Sequence, residues 1–574
     1  MLEVKTFPQD MSVFEVDHAE PRRCLVNGLF EEPVEVNGRT RTFYTYIHPD
    51  LVYNQPCVVV APPADVPVLE YLETGPWLAF AREHNVFLHM LIPGPGGWDL
   101  DGADADYMNR VYVQINGRRG YVAMQDNIYA VGVGGGATVA QQAVMKMSSE
   151  WSGLATFGDL DPRATLNAGT TAGSENTGKT ELVISAAKVQ VPVWMAWGAN
   201  TGANAEACAY WKAMNDVAEE PFANQWADEI YFPSAVCRNS QVNEEKISQV
   251  RVTNGFSGDP DAGRLGAVWA FLSEACRHRC FGTKALRRRI DPEAYGFTRR
   301  TMELDGWTRT WYEYVPERVK TLGRPVPLVV CMHGRGGTAE SFISLADMSR
   351  VAEARDFILV YPEAGVSQQR PGALRNLLLW CGAYKDEKID DVKFVLSVID
   401  EVKARYAVDE GRVYACGQSS GGMMTATLAQ KAPRVFAAVA PWSALVDPDH
   451  ELQLPEAIDP AVPFFFLFGE KDWLCADLEH GELEYHAAHD IAAFLKNLMK
   501  IYALDTTPLT YTCGEIRYYV YLNAKKIPML TVGTVREMSH ANYPGESWAS
   551  YDQFLARFSR AADGTLLYMG QPAL

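Results

Sequence analysis

Three residue types that can together carry out acyl transfer stand far apart in the second half of the sequence. Ser419 lies in Gly417-Gln418-Ser419-Ser420-Gly421, which follows a strand-like run and precedes a helix-like one. A serine on such a tight strand-to-helix turn presents its hydroxyl away from the backbone, and the flanking glycines let neighbouring chain approach without a clash. The sequence therefore predicts Ser419 as a nucleophile, in preference to a chance Gly-x-Ser-x-Gly in a loop.

A serine nucleophile needs a base that accepts its proton and an acid that orients the base, and this type of turn uses the chain order Ser, Asp, His. Asp472 follows the apolar run Phe464–Phe468, and His540 follows the last strand signal, just before the terminal helix. We predict Asp472 as the acid and His540 as the base. Two other aspartates and two other histidines are the alternatives: Asp447, Asp477, His486 and His489.

Donors for a developing oxyanion are predicted next to the serine and in one upstream loop. The segment His333-Gly334-Arg335-Gly336-Gly337 comes directly after a strand signal. Its glycines allow the backbone N–H of Gly334 or Arg335 to turn toward a substrate carbonyl, with the Ser420 N–H as the second donor. His333 is expected to brace this loop without transferring a proton.

The elements that must position these residues form an alternating pattern of short apolar runs and amphipathic stretches, which is typical of parallel strands covered by helices on both faces. Helical spacing predicts a helix over Asp391 to Val402 and a last helix that carries Trp548, Tyr551, Phe554, Leu555 and Phe558. The predicted strands of the second half are Leu328–Met332, Phe357–Tyr361, Val413–Cys416, Ala437–Ala440, Phe464–Phe468 and one ending near Val535.

The first half of the chain repeats the plan of the second at a period of about half the length, which indicates a duplication. Four segment pairs agree in the same order: residues 41–46 with 309–314, 56–60 with 327–331, 127–132 with 412–417, and 191–198 with 462–469. We therefore predict two tandem domains of the α/β class, residues 1–284 and residues 285–574, each a mostly parallel sheet with helices on both faces. The boundary should fall near residues 281–300, where the pattern is interrupted.

In the repeat alignment the first copy has no residue that could replace the three chemical groups. Gly134 stands opposite Ser419, Thr201 opposite Asp472, and Gly255 opposite His540. Pro62-Pro63 stands opposite His333-Gly334, so the predicted donor loop is also missing. Without hydroxyl, base and donors this copy cannot run the same mechanism. We expect an inert domain that packs against the working copy, shapes its entrance or mediates assembly of a homo-oligomer.

Two long segments carry a resemblance to a known family. Pro327 to Glu363 contains the strand, the His-Gly turn and Phe357-Ile358-Leu359-Val360-Tyr361-Pro362, and Val408 to Ser443 contains the serine turn and Phe436-Ala437-Ala438-Val439-Ala440-Pro441. Both resemble the polyhydroxybutyrate-depolymerase and feruloyl-esterase group of α/β-hydrolases, and the resemblance extends over essentially the whole second half. It implies Ser419, Asp472 and His540 as nucleophile, acid and base.

The resemblance also implies an activity, a serine carboxylic-ester hydrolase that works through an acyl-enzyme and needs no metal or organic cofactor. A feruloyl-type aromatic ester is the first expected substrate, and a polyhydroxyalkanoate oligomer is the second. Three alternatives stay open: an acyltransferase or a serine peptidase on the same fold, since the triad does not select the acyl acceptor, and a non-enzymatic scaffold.

Composition excludes several other classes of protein. The 574 residues carry a formal charge of −19, which argues against nucleic acid and against an anionic membrane surface as partners. The one basic cluster, Lys284 to Arg289, is interpreted as a solvated linker. Neither a bilayer-spanning stretch nor a secretory leader is visible in the sequence, and its eleven cysteines lack a framework spacing. We therefore expect a cytoplasmic protein, or a secreted one if a leader has been removed.

Weaker motifs have simpler interpretations. Cys276-Arg277-His278-Arg279-Cys280 is interpreted as a helix end with buried thiols and not as a metal site, because no second ligand pair lies nearby. The glycines from Gly132 to Gly136 lack the ending of a phosphate loop. Tryptophan usually packs in the core, but a cluster near the predicted catalytic face would make an aromatic acyl pocket, and three tryptophans are the candidates: Trp380, Trp442 and Trp473.

Overall fold

A computed structural model describes most of the chain. It covers residues 2–574 apart from residues 9, 12, 117–126, 167, 169–170, 177–180, 187–188, 235–246, 257, 278–285, 368–376, 381–387, 445–455, 473 and 475–490.

Strands and helices alternate along most of this length. Those of the first half are β1 Val4–Thr6, β2 Gly28–Val36, β3 Arg39–Ile47, β4 Cys57–Ala61, α1 Val68–Thr74, α2 Trp77–Glu83, β5 Phe87–Leu91, α3 Ala103–Asn116, β6 Ile128–Val133, α4 Gly136–Lys146, β7 Gly153–Phe157, β8 Thr171–Asn176, β9 Glu181–Ser185, β10 Val193–Ala196, α5 Ala203–Asn215, β11 Glu229–Tyr231, β12 Val250–Thr253, α6 Ala262–Leu272 and β13 Ala275–Arg277. Those that follow are β14 Leu286–Arg288, α7 Pro292–Tyr295, β15 Thr298–Leu304, β16 Trp307–Tyr314, α8 Glu317–Thr321, β17 Val326–Met332, α9 Ala339–Ala346, α10 Met348–Arg355, β18 Ile358–Pro362, β19 Val366–Ser367, β20 Leu377–Leu378, α11 Asp391–Arg405, β21 Val408–Gln418, α12 Ser420–Lys431, β22 Ala438–Trp442, β23 Phe464–Gly469, α13 Ile491–Ile501, β24 Leu509–Cys513, β25 Ile516–Leu522, β26 Pro528–Val535, α14 Glu546–Gln553, β27 Phe558–Arg560, β28 Leu566–Tyr568 and β29 Gln571–Pro572.

The described residues of the first half build a ten-stranded sheet in the order β1-β2-β3-β5-β4-β6-β7-β10-β12-β11. Its centre, from β5 to β12, is parallel. Successive residues of β4 belong to opposite layers. Val58 and Val60 share a core with residues of α2 and α6, whereas Cys57 and Val59 share one with residues of α3 and α4. Helices therefore cover both faces of this sheet, as predicted.

The described residues of the second half build another ten-stranded sheet, in the order β15-β16-β18-β17-β21-β22-β23-β26-β25-β24. The nine strands from β15 to β25 match the nine from β2 to β11 of the first sheet in order. They also match in direction, with an antiparallel hairpin at one end, a parallel centre and an antiparallel edge strand at the other. The fold class is thus α/β in both halves, and a duplication remains the interpretation of their likeness.

Helix α11 shows how a capping residue and apolar residues at helical spacing determine where a helix forms. Asp390 caps its start by accepting from the Lys393 N–H, and the helix runs from Asp391 to Arg405 with Phe394, Val395, Val398, Ile399 and Val402 buried. The prediction of a helix over Asp391 to Val402 is confirmed.

The predicted last helix is wrong in its second part. Helix α14 ends at Gln553, Leu555–Arg557 forms a short 3-10 turn, and Phe558 begins strand β27. Phe558 pairs with Tyr568 of β28, and its carbonyl accepts from the Tyr414 hydroxyl at 2.7 Å. The apolar residues at helical spacing therefore extend over helix α14, the 3-10 turn and the start of strand β27. These elements pack into the same core.

The interpretation of the basic cluster as a solvated linker is also wrong for its described part. Leu286 is buried in β14, and the buried Arg287 forms an ion pair with Asp347. Strand β14 pairs with β13, so Cys276 lies in a strand and not at a helix end, although its thiol is buried. Residues 278–285, which include the predicted domain boundary, lie outside the described residues.

Over the described residues, no helix has both the length and the apolar character that crossing a bilayer would need.

Candidate active site

Ser419 occupies a strained turn between β21 and α12. Its φ of 58° is in the left-handed region, and its N–H donates to the Trp442 carbonyl at 2.8 Å. The backbones in this turn approach so closely that a Cβ at Gly421 would lie 2.2 Å from the Met332 carbonyl oxygen. A side chain there would push helix α12 away from β17. The backbone contacts thus explain why the serine is flanked by glycines and aims its hydroxyl outward.

The structure brings the three sequence-predicted chemical groups together. Ser419 Oγ lies 3.0 Å from Nε2 of His540, within hydrogen-bond distance. The other ring nitrogen, Nδ1, lies 3.0 Å and 3.2 Å from the two carboxylate oxygens of Asp472. When Nδ1–H donates to Asp472, the unprotonated Nε2 faces Ser419 Oγ and can accept the serine proton.

Asp472 is fully buried and is nevertheless held as a carboxylate. Burial by itself would raise its pKa, but His540 and the Leu474 N–H, which donates at 3.0 Å, together bring the pKa below its ordinary value. The negative charge is therefore available to orient the imidazole and to stabilise it when protonated.

The loops of the acid and the base meet at the carboxyl edge of the sheet, where β23 and β26 run side by side. Lys471 N–H donates to the Met538 carbonyl at 2.9 Å, and a Cβ at Gly469 would lie 2.2 Å from that same oxygen. Gly469 thus permits the close approach that puts Asp472 beside His540. The imidazole keeps about a quarter of its side-chain surface exposed, at 24%.

The segment His333 to Gly337 lies against the serine turn. A Cβ at Gly334 would be 3.4 Å from Ser419 Cβ and 2.3 Å from the Gln418 side-chain oxygen, so the two loops are in contact. His333 is buried, which lowers its pKa to about 4. Its Nδ1–H donates to the Gly334 carbonyl at 2.8 Å, and its Nε2 accepts from the Ala364 N–H at 3.1 Å. The neutral ring braces the loop.

Sequence reasoning missed Glu546, a buried carboxyl that interacts with the segment following the base. Its two oxygens accept from the Asn542 amide at 2.7 Å and from the Tyr543 N–H at 3.0 Å, and so fix the turn that follows His540. Burial raises its pKa to about 8, although both donors oppose the rise. One sequence signal could have indicated this role: Asn542 stands four residues before Glu546, the first residue of the last helix.

The three candidate tryptophans differ in position. Trp380 is buried, with its ring 5.4 Å from that of His333. Trp442 is buried and donates its indole N–H to Ser550 at 2.8 Å. Trp473 lies outside the described residues, as do the alternatives Asp447, Asp477, His486 and His489. Contact of these tryptophans with a substrate stays a prediction.

The matching strand ends of the first half carry other residues. Gly134 follows β6, Thr201 and Gly255 follow β10 and β12, and Pro62-Pro63 follows β4. No cluster of three or more His, Cys, Asp or Glu side chains able to hold a metal ion occurs within the part of the chain that the structure describes.

A serine on a left-handed strand-to-helix turn, beside a histidine and an aspartate at the carboxyl edge of a mostly parallel sheet, defines an α/β-hydrolase fold. Residues 311–453 match the model of the family described as Esterase PHB depolymerase. Over these residues the second half of the chain is similar to the polyhydroxybutyrate-depolymerase and feruloyl-esterase group of α/β-hydrolases.

Named relatives agree with this group. Feruloyl esterase B of Neurospora crassa is 36% identical over 132 residues, which is 23% of this chain and 42% of that protein. Acetylxylan esterase A of Emericella nidulans is 31% identical over 129 residues, 22% of this chain and 40% of that protein. The chain thus spans less than half the length of these relatives. A solved acetyl xylan esterase from Aspergillus awamori covers 44% of this chain and 98% of its own at 16% identity, with a TM-score of 0.32.

Proposed function

We propose that this protein is a serine carboxylic-ester hydrolase. The observation that carries the proposal is the 3.0 Å separation of Ser419 Oγ and His540 Nε2, with Asp472 on the opposite ring nitrogen. Asp472, His540 and Ser419 are then acid, base and nucleophile.

In the first step Ser419 Oγ attacks the ester carbonyl carbon while its proton passes to His540 Nε2. The carbonyl oxygen becomes an oxyanion, which accepts hydrogen bonds from the Ser420 N–H and from the N–H of Gly334 or Arg335. Ser420 is the first residue of α12, so its N–H has no carbonyl partner within the helix. Asp472 stabilises the imidazolium that forms.

In the second step His540 gives this proton to the leaving alkoxide, the carbon–oxygen bond breaks, and an acyl-enzyme remains. His540 then removes a proton from water, whose oxygen attacks the acyl carbon. Collapse of the second tetrahedral intermediate returns the proton to Ser419 and releases the carboxylic acid. The cycle needs no metal and no organic cofactor.

A feruloyl-type ester is the proposed substrate, supported by the names of relatives such as the feruloyl esterases B. Acetyl esters are the second candidate, because other relatives are named acetylxylan esterases. Hydroxyalkanoate oligomers are the third, from the description of the family model.

Initial rates on methyl ferulate, p-nitrophenyl acetate and a hydroxybutyrate trimer test the proposal, with Ser419→Ala as the matched control. We expect hydrolysis of methyl ferulate and its loss in the variant. Folded protein that hydrolyses none of the three would contradict ester hydrolysis, and hydrolysis of only the acetate or the trimer would contradict the feruloyl assignment.

We also propose a cytoplasmic location. Among the described residues, free thiols are buried at Cys24, Cys57, Cys208, Cys331 and Cys416 and exposed at Cys513, which suits a reducing compartment. Recovery of the protein from the culture medium of intact source cells would contradict this.

A further inference from the structure

Two short segments of the first half form one unit at the boundary between the halves. Residues 22–24 and 51–53 are joined by backbone hydrogen bonds, from Cys24 N–H to the Leu51 carbonyl at 2.9 Å and from Tyr53 N–H to the Arg22 carbonyl at 2.8 Å. Arg22 and the neighbouring residues Asn54 and Gln55 are buried, each 5% exposed. Polar side chains buried to this degree need partners.

The partner of Asn54 lies in the loop that contacts Ser419. Its side-chain amide donates to the Gly336 carbonyl at 2.9 Å, across 282 residues of sequence. On the other side of the same residue, the Gly336 N–H donates to the Leu378 carbonyl at 2.9 Å. Gly336, whose φ is +68°, is thus held from both sides, once by each half of the chain.

A series of short contacts connects Gly336 to the serine. Gly337 N–H donates to the Gly334 carbonyl at 3.0 Å, and that carbonyl also accepts from His333. Gly334 in turn lies against the Ser419 side chain. The peptide that Asn54 holds is therefore within one turn of the proposed oxyanion donors.

Arg22 contacts carboxylates on two elements that lie next to the same loop. Its guanidinium lies 3.1 Å from the Glu340 carboxylate, at the start of the helix that follows the loop. It lies 3.4 Å from Glu363, whose neighbour Ala364 donates to His333. Gln55 adds a longer hydrogen bond to Glu340 at 3.3 Å.

We propose that the first half is a positioning part of the active site: Asn54 and Arg22 hold the His333–Gly337 segment so that the N–H of Gly334 or Arg335 faces the oxyanion. This inference rests on the proposed ester hydrolysis. Donors stabilise an oxyanion effectively only when they are fixed beforehand, so a loosened loop slows the chemical step more than it weakens substrate binding. Asn54 and Arg22 touch no reacting atom and act through the loop.

Asn54→Gly is the test variant, because glycine accepts the φ of 59° that Asn54 adopts and removes the donor. The matched control is Asn37→Gly, which changes an exposed asparagine at φ 48° in the turn between β2 and β3. We expect Asn54→Gly to lower kcat by roughly tenfold with KM within about twofold, and to weaken inhibition by a trifluoromethyl ketone by a similar factor. The ketone reports directly on the oxyanion, because its adduct with serine carries one.

The outcomes separate this inference from the function on which it rests. Wild-type protein that hydrolyses no ester would overturn the proposed function. Active wild type with Asn54→Gly equal to Asn37→Gly in kcat and in ketone inhibition would overturn the positioning role alone. A fall in melting temperature with unchanged kcat and ketone inhibition would show a merely structural contact and would overturn it too. If Asn54→Gly does not fold, Asn54→Asp, which replaces the donor amide by a carboxylate, is measured in the same way.

Discussion

Gly134 and Ser419 occupy equivalent turns in the two sheets. Their φ angles are 57° and 58°, and their N–H groups donate at 2.8 Å to Phe157 and to Trp442, at the ends of the matching strands β7 and β22. The turn is therefore formed whether or not a nucleophile stands in it. Backbone contacts determine the geometry, and the serine hydroxyl adds the chemistry.

Gly136 and Gly421, which stand two residues beyond these positions, should be equally important for the stability of their halves. A Cβ at Gly136 would lie 2.1 Å from the Ala61 carbonyl oxygen, as one at Gly421 would meet Met332. We expect Gly136→Ala and Gly421→Ala each to lower the free energy of unfolding by about 1–3 kcal/mol. Urea denaturation measures this, with Gly266→Ala as the control, since nothing lies within 4 Å of a Cβ there. A tolerated Gly136→Ala would show that the first turn is not held by this contact.

Asp472→Asn should leave the fold intact and stop the chemistry. An asparagine amide that donates to His540 Nδ1 would place the ring proton on Nε2, which then cannot accept the proton of Ser419. We expect kcat to fall roughly 10³–10⁴-fold with a small change in KM. Ester hydrolysis rates measure this against Asp552→Asn, a control whose carboxylate pairs with Arg355 at the surface. A loss below tenfold would remove Asp472 from its assigned role.

Glu546 should make the protein less stable as the pH rises. Its folded pKa of about 8 lies above its ordinary value of 4.5, so the folded state keeps a proton that the unfolded chain releases. The stability contribution is complete below pH 4.5 and is lost progressively up to about pH 8, by a few kcal/mol in order of magnitude.

Glu546→Gln, which stays neutral at every pH, should flatten this part of the curve. Urea denaturation of both proteins at pH 5 and pH 8 tests the expectation. Equal losses of stability between the two pH values would mean that Glu546 is already ionised in the folded protein.

The strands and the serine turn could be predicted from sequence because their signals are local. A short continuous apolar run such as Leu328–Met332 is typical of a buried strand when turn residues bound it, and the site residues follow directly at such strand ends. Asp472 and His540 were predicted in the same way, because each follows the end of a predicted strand.

Other features could not be predicted because no local pattern encodes them. The contact of Asn54 with Gly336 joins residues 282 positions apart, and an asparagine in a loop gives no sign of its partner. The end of helix α14 at Gln553 was missed because Phe558 continues the helical spacing while it pairs with Tyr568 in a strand. Arg287, within a basic run, is buried against Asp347, a partner that only the tertiary fold supplies.

Fluorophosphonate labelling followed by peptide mapping tests the central claim most directly, because the reagent reacts with a serine only where a base activates it. We expect one adduct per chain, on Ser419, with none on the first half and none in Ser419→Ala, and ester hydrolysis should disappear with the adduct. Absence of labelling in folded protein, an adduct on another residue, or hydrolysis that persists in Ser419→Ala would contradict the account.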